Sequence, residues 1–477
     1  MNRTARIPAP SSRFANSRSK AQSVSTHESE HTHASSTRRV LMISYAFPPT
    51  GGGGVQRTVK FVKYLPQFGW RPTVLTAANP SVPVQDQDLM AEISSASTRI
   101  LRAKTLEPNY RLKSTLKNSG GGSGRSGLRS FVRKIAMQVL QPDPQVLWNP
   151  SAKRTAAREL MGDGHYDAIY ATGPPFSSFL LGRDLKQRFG LPLIVDFRDE
   201  WLLASQHLDN YSLNKRSYRR QLRMLSAVLR SADAVVTTTK ASAEELSSLS
   251  ESCGAEPMTR CIYNGFDPND LPRSSRHPTT SDRLRIVYTG TLWRLTDIQP
   301  LATALRSLAE IAPHVANRVD LMLVGRQTPQ QHAIVQQLES TPIRVQCHDY
   351  MPHRQALDIA SSADALLLLL ANEEGAERVV PAKLFEYMAL SKPILAVCPE
   401  GETKQLLREN GHTSHFHPNE VDDIRQWLMA YVPAGNQMQH LDSGHRKIDT
   451  GFSRVSQTHQ LAELLDDVAA HKECLPT

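Results

Sequence analysis

Three groups of residues in this chain are spaced so that they can do chemistry. The first is Gly51-Gly52-Gly53-Gly54, set between an apolar run, Val40 to Tyr45, and apolar residues at helical spacing, Val55, Val59, Val62 and Leu65. Glycines let a backbone come close to a ligand, and a helix N-terminus favours an anion there. No dinucleotide fingerprint is completed, because Gln56 stands two places after Gly54, and no Gly-Lys-Ser/Thr follows to make a P-loop. By itself the run is either an anion cradle or a flexible turn. The second group is Asp196-Phe197-Arg198-Asp199, which closes the apolar run that starts at Leu193. It reads either as a functional set at a strand end or as a salt-bridged turn that shapes a cleft. The third is Pro381-Ala-Lys-Leu-Phe-Glu-Tyr387. A carboxylate at Glu386 can accept two hydrogen bonds from a ribose diol, and Lys383, one turn earlier, can hold a pyrophosphate. By composition alone the same stretch is an amphipathic helix with a solvated Glu–Lys face. The loop His348-Asp349-Tyr350 follows a short strand and is expected to line a base pocket, with His353 solvated at the start of the next helix. The acid pair Asp86-Gln87-Asp88 is expected at the surface of a polar loop, so no metal site is expected.

The elements that must position these groups alternate. Val40–Tyr45, Pro72–Thr76, Asp167–Thr172, Leu193–Asp196 and Ala234–Thr238 read as buried strands separated by helical segments. Pro66 is expected to distort the end of the first helix and Gly69 to terminate it. A Pro- and Ser-rich stretch, Pro268 to Ser281, interrupts the pattern as a linker. The alternation resumes with Arg285–Thr289, Asp320–Val324, Ile343–Cys347, Asp364–Leu370 and Pro393–Val397. Alternating strands and helices imply parallel sheets covered on both faces. The expected architecture is therefore α/β, with two Rossmann-like, doubly wound domains facing across a cleft. The boundaries are a disordered tail over 1–37, an N-terminal domain over 38–267, the linker 268–281, a C-terminal domain over 282–450, and a C-terminal helix and tail over 451–477. Ligands in such sheets sit beyond the carboxyl ends of the strands, so the inter-domain cleft is the expected pocket.

With 477 residues the chain is long enough for about three units at roughly 150 residues each, or two large ones. No run approaches the roughly 18 apolar residues of a membrane span; the longest is Ala365 to Ala371. The cysteines, at 253, 261, 347, 398 and 474, include no Cys-x-x-Cys, which fits a reducing compartment and argues against a zinc or disulfide framework. The net charge of +10 is patchy: residues 99–134 hold ten Lys/Arg against one acid, and residues 211–230 hold six against none. Without interleaved aromatics or a recognised motif, nucleic-acid binding is not expected. Leu128, Phe131, Val132, Ile135 and Val139 share one helical face flanked by Arg129, Arg133 and Lys134, which is either an interfacial helix for an anionic membrane or a domain helix packed on the sheet.

Five motifs in order carry a family resemblance: Ser44–Gly54, Asp196–Asp199, Asn264-Gly-Phe-Asp267, Tyr288-Thr-Gly-Thr291 and Pro381–Met388. Over about residues 38–430 the chain resembles glycosyltransferases of the GT-B fold, most closely the retaining family-four (group 1) type of bacterial polysaccharide biosynthesis. The resemblance implies an acceptor-binding N-terminal domain and a C-terminal domain that binds a nucleoside-diphosphate sugar. Glu386 matches the second acid of the family's Glu-x7-Glu signature, which holds the ribose; the first falls on Arg378, beside Glu377. Gly52, Gly53, Gly54, Gly290, Arg294, Tyr350, Lys383, Leu384 and Glu386 are the implied nucleotide-sugar contacts. Asp196, Arg198, Asp199, Arg294 and Lys383 are the candidate catalytic groups, with Asp196, Arg198 and Asp199 standing where many relatives carry a histidine. Fixed cations then stabilise the departing diphosphate, and neither a metal nor any other cofactor is expected. The implied partners are a nucleotide-sugar donor, a glycan or lipid-linked acceptor and an anionic membrane surface touched by residues 128–140; the implied location is the cytoplasm, peripheral on the inner face of the membrane. Two other readings remain: a GT-B-type sugar-nucleotide epimerase, and a catalytically silent glycan-binding scaffold of the same fold.

Overall fold

The computed structural model describes residues 37–81, 85–94, 98–107, 140–162, 164–207, 214–272, 282–434 and 450–473. The expected tail over 1–37, the candidate interfacial helix over 128–140 and most of the linker therefore lie outside the described residues.

Two parallel sheets organise the chain. The first holds β1 (Arg38–Ile43), β2 (Trp70–Ala77), β3 (Arg99–Ala103), β4 (Ala168–Gly173), β5 (Leu193–Phe197), β6 (Ala234–Thr237) and β7 (Met258–Cys261) in the order β3-β2-β1-β4-β5-β6-β7. The second holds β8 (Leu284–Thr289), β9 (Val319–Val324), β10 (Arg344–His348), β11 (Ala365–Leu369), β12 (Ile394–Val397) and β13 (His415–Phe416) in the order β10-β9-β8-β11-β12-β13. Every strand pair is parallel, as in Arg39↔Arg71 between β1 and β2 and Leu366↔Ile394 between β11 and β12. Central strands read as continuous apolar runs because helices cover both faces. Val40 to Ile43 and Ala365 to Leu369 are accordingly fully buried.

In both sheets the order reverses beside the first strand, β1 or β8, so each has a switch point where the chain opens a crevice at the carboxyl edge. Pro66 has the expected effect. The helix Gly53–Tyr64 passes into a tight turn, Leu65–Phe68, that ends at Gly69 in the left-handed region, where a side chain would be strained.

The C-terminal helix Arg454–Glu473 does not extend the second lobe. It returns to the first, where Leu461, Leu464, Leu465 and Val468 join the core formed by Val59, Val62 and Trp70. Its entry is fixed by backbone bonds between Phe266 and Phe452 at 3.2 Å and between Arg454 and Phe266 at 2.8 Å. Gln457 Nε2 donates to the Asn264 carbonyl at 2.7 Å. The Asn264–Asp267 turn is thus the socket on which the chain crosses back.

Candidate functional site

The carboxyl edges of the two sheets enclose a cavity of about 380 Å³. The first lobe supplies Gly53 and Gly54 after β1, Arg198 to Glu200 after β5, and Thr238 after β6; the second supplies Trp293 after β8 and Arg378 to Ala382 after β11.

On the second-lobe side, Lys383 opens the helix Lys383–Ala389 and lays its ammonium 3.9 Å from the centre of the Tyr288 ring at the end of β8. Gly290 makes this approach possible. Its φ is +127°, and a Cβ there would lie 2.6 Å from Lys383 Nζ. Among the described residues the lysine has no carboxylate within ion-pair range. Burial therefore pulls its pKa down, only partly opposed by the fields of Tyr387 and Glu386. A cation held against an aromatic face with no counter-ion is a ready partner for phosphate.

One turn on, Glu386 accepts from His353 Nε2 at 2.8 Å, with the two side chains 16% and 20% exposed. Burial alone would raise the Glu386 carboxyl, but His353, and behind it Arg454 and Lys383, hold it below the usual range. Burial likewise opposes charge on His353, and Glu386 more than restores it, so the imidazole titrates above its ordinary value. His353 does open its helix, His353–Ser361, as expected from sequence, but it is paired there rather than solvated. Tyr350, 38% exposed, reaches toward the first lobe, where its hydroxyl lies 3.4 Å from Asp86 Oδ2 and takes a backbone hydrogen bond from Gly52. Burial and Asp86 push that phenol up to about 12. Asp86 is itself buried, with its amide bonded to the Pro49 carbonyl at 2.7 Å, so the expected surface position of the Asp86–Asp88 pair is corrected for its first member.

On the first-lobe side, Asp196 is completely buried. It receives a two-pronged contact from Arg57, at 2.9 and 3.1 Å, and a short hydrogen bond from Tyr170. Burial disfavours the Arg57 charge, and Asp196 outweighs it, leaving the guanidinium raised. Arg198 instead binds backbone: it donates to the carbonyls of Gly54, Pro174 and Gly173, which ties the glycine run to the end of β4. Asp199 opens into the cavity; the protein crowded around the cleft desolvates its carboxyl and raises it, against the opposing pull of Arg198.

Direct contacts join the lobes around this cavity. Arg378 grips Glu200 with two hydrogen bonds, at 2.8 and 3.0 Å, and also meets Glu377 at 2.8 Å. Glu402 of the second lobe accepts from the amides of Lys240 and Ala241, both at 2.8 Å, and so caps the first-lobe helix Lys240–Ser252. Tyr263 adds a third bond to Glu402 at 2.5 Å.

Residues 52–265 match the sequence family described as Glycosyl transferase 4-like domain. That domain makes the chain a glycosyltransferase. Its architecture is GT-B, shared with several solved structures. The sucrose-phosphate synthase of Thermosynechococcus elongatus superposes with a TM-score of 0.60 at 16% identity, over 91% of this chain and 100% of that one. HepE of Anabaena, solved in complex with UDP-glucose, gives 0.58 at 17% identity, over 90% and 99%. WaaG, a glycosyltransferase involved in lipopolysaccharide biosynthesis, gives 0.54 at 13% identity, over 89% and 99%. Comparison with curated proteins returned no match.

In this glycosyltransferase the candidate residues do not all converge. Gly53, Gly54, Arg198 and Asp199 line the inter-lobe cavity. Lys383, Gly290, Glu386 and Tyr350 cluster at the crevice of the second sheet, with Gly52 touching Tyr350 from across the gap. Three of the expected residues sit apart from both groups. The Asp196 carboxylate is fully buried and engaged by Arg57 in the interior. Leu384 is fully buried, on the face of its helix that packs against the sheet. Arg294 is held in a two-pronged pair with Glu373, at 2.9 and 2.6 Å, and lines a separate cavity of about 360 Å³ with Asp297 and Gln331.

Arg57, Glu200, His353, Glu402 and Arg454 belong to the site but carry no sequence signal of their own. Arg57 sits two residues from Val55 on a short helix, and nothing in its spacing announces a partner 139 positions away. Among the described residues, Glu92, Asp267 and Asp270 are near enough to share a cation, but Lys60 Nζ already sits between them at 2.5, 2.8 and 2.7 Å. No described helix is long and apolar enough to cross a membrane.

Proposed function

We propose that the chain transfers a sugar from a nucleoside-diphosphate sugar to a glycan or lipid-linked acceptor, with retention of anomeric configuration, in cell-surface polysaccharide biosynthesis. The observation that carries the donor part is Lys383, a cation without a counter-ion packed on Tyr288 beside Gly290. A diphosphate laid over Gly290 would meet this ammonium at hydrogen-bond range. As the glycosidic bond breaks, negative charge grows on the leaving phosphate, and a fixed cation there favours the transition state over the ground state. On this reading the chain's own cations do the neutralising, and a metal is not required. Glu386 accepts from the ribose, and its bond to His353 keeps it ionised and aimed. Tyr350 and the glycine run close over the nucleotide from the opposite lobe. Structures solved with UDP-glucose and with UDP-2-fluoro glucose share the fold, which makes a uridine nucleotide the first to try.

The acceptor side falls to Asp199, exposed in the cavity and able to receive an acceptor hydroxyl, with Arg198 fixing the loop beneath it. Retention, the lipid-linked acceptor and a cytoplasmic site at the inner membrane face rest on the motif resemblance. The two-pronged Arg378–Glu200 pair favours a second reading, a catalytically silent scaffold, because it fills part of the cleft beside the donor position.

The test is to incubate the purified chain with a panel of nucleotide sugars. Slow release of nucleoside diphosphate supports transfer, and a new sugar nucleotide identifies an epimerase instead. Binding without turnover, with or without a glycan, identifies the scaffold. No rise in melting temperature with any nucleotide sugar refutes the donor site.

A further inference from the structure

The edge of the first sheet opposite the cleft carries a group of residues that the transfer reaction does not use. Arg39, Arg71 and Arg99 lie at the amino ends of β1, β2 and β3, which are neighbours in the sheet. Register places them together. Arg39 pairs with Arg71, and Arg99 pairs with Thr73, two residues along the same strand. Strand partners, and residues two apart, share a face, so the three guanidinium groups rise on one side. With Pro72 and Thr73 they line a cavity of about 270 Å³.

The charges here do not cancel. Glu159 shares its two oxygens between Arg39, at 3.5 Å, and Arg99, at 2.7 Å. Asp167 is engaged by the Arg39 amide at 2.7 Å and by His165 at 3.4 Å. The Arg71 side chain is exposed and, among the described residues, makes no hydrogen bond or ion pair. Arg39 is pinned by its stack on the Tyr166 ring, 4.2 Å from the ring centre, and by a 2.9 Å bond to the Tyr166 hydroxyl. Its Nε is nonetheless buried without a partner. One arginine is thus rigid with an unused donor, a second is free, and a third is held at the rim. Planar forks arranged in this way match the oxygens of a phosphate.

We propose that Arg39, Arg71 and Arg99 form a second anion site, for a phosphate group, separate from the donor crevice. The phosphate can come from a free phosphorylated compound or from the headgroup of an anionic lipid. The experiment uses the full chain carrying Lys383→Met, so that the donor crevice does not contribute, with and without Arg71→Ala. Melting is followed in pyrophosphate against sodium chloride of equal ionic strength, and retention on phosphatidic acid vesicles against phosphatidylcholine vesicles. Arg71 is exposed and unpaired, so its loss should leave the fold intact.

A rise in melting temperature with pyrophosphate, with an affinity that falls about tenfold or more in Arg71→Ala, supports the site and a soluble ligand. No rise, but retention on phosphatidic acid vesicles that falls about tenfold in Arg71→Ala, supports the site with a lipid headgroup as its source. Responses that Arg71→Ala leaves unchanged, or no response to either probe, overturn the proposal.

Discussion

Replacing Lys383 by Met should separate stability from binding in opposite directions. The variant keeps the stem that packs near Tyr288 and removes only the charge. In the free protein it forfeits a cation–π contact of about 0.5–2 kcal/mol and relieves a desolvation cost of similar order. The depressed pKa of Lys383 sets the sign. Below its lowered folded pKa the ammonium is protonated in both folded and unfolded chains, so its burial cost is fully felt, and wild-type stability recovers only as pH rises through that folded value toward the ordinary value of about 10.4. The variant should therefore melt no lower than wild type at pH 7, with its relative advantage shrinking in alkali. Binding should go the other way. Loss of one charge-assisted hydrogen bond to a phosphate costs about 1.5–3 kcal/mol, which is about 10- to 150-fold in Kd. Titration calorimetry with UDP, alongside thermal melts from pH 7 to about 10, reads both. Undiminished UDP affinity would refute the assignment. A loss of affinity accompanied by a markedly lower melting temperature would also refute it, since the lysine would then be a packing residue.

The remaining expectations concern the other charged groups. Asp196→Asn leaves Arg57 buried without its anion, at a cost of about 3–5 kcal/mol, and should depress the melting temperature strongly; Asp199→Asn should leave melting unchanged and lower kcat, and the reverse pattern would exchange the two roles. The Glu386–His353 pair stabilises fully only where both are charged in the unfolded chain as well, between about pH 4.3 and 6.5. Its contribution fades as pH rises through the raised folded value of His353 or falls through the lowered folded value of Glu386, so His353→Gln should flatten the decline in melting temperature above neutral pH, and an unchanged slope would remove the pair from the account. Arg378→Ala and Glu200→Gln should prove coupled, by about 0.5–3 kcal/mol in a double-mutant cycle of urea midpoints, whereas strict additivity would mean that the inter-lobe contact contributes nothing.

The sheets were legible because parallel strands must be apolar along their whole length, and Val40 to Ile43 and Ala365 to Leu369 are. The donor crevice was partly legible because Lys383 and Glu386 fall one turn apart on a single short helix. Legibility ends where a residue's role depends on a partner distant in sequence. Asp196 and Asp199 have the same chemistry and lie three places apart, yet one ends inside the sheet against Arg57 and the other ends in solvent. Asp196 lies within β5, which is buried along its length, whereas Asp199 lies beyond the strand's end, and the partner of Asp196 is on the helix Gly53–Tyr64. The surroundings of Arg294 were illegible for a related reason: Glu373, which pairs with it, lies 79 residues away on the loop after β11.

The same dependence on distant partners joins the donor crevice to the rest of the molecule. Arg454, at the start of the helix that returns to the first lobe, is buried, and its pKa is lowered to about 10 by burial and by Arg57, against the pull of Glu386, Asp267 and Asp270. It stands between the carboxylate assigned to the ribose and the Lys60–Asp267 network beneath the first helix. Buried charges such as these have a low-energy arrangement only when their partners are in place, because an unpaired member costs several kcal/mol. On the proposed reading, a nucleotide whose ribose hydroxyls donate to Glu386 would change the balance at Arg454, and Arg454 is bonded through its backbone to the Phe266 turn on which the chain crosses between lobes. That reading makes Arg454 the residue through which donor binding would be felt at the lobe crossing, while Arg378–Glu200 and Glu402 join the lobes elsewhere around the cleft.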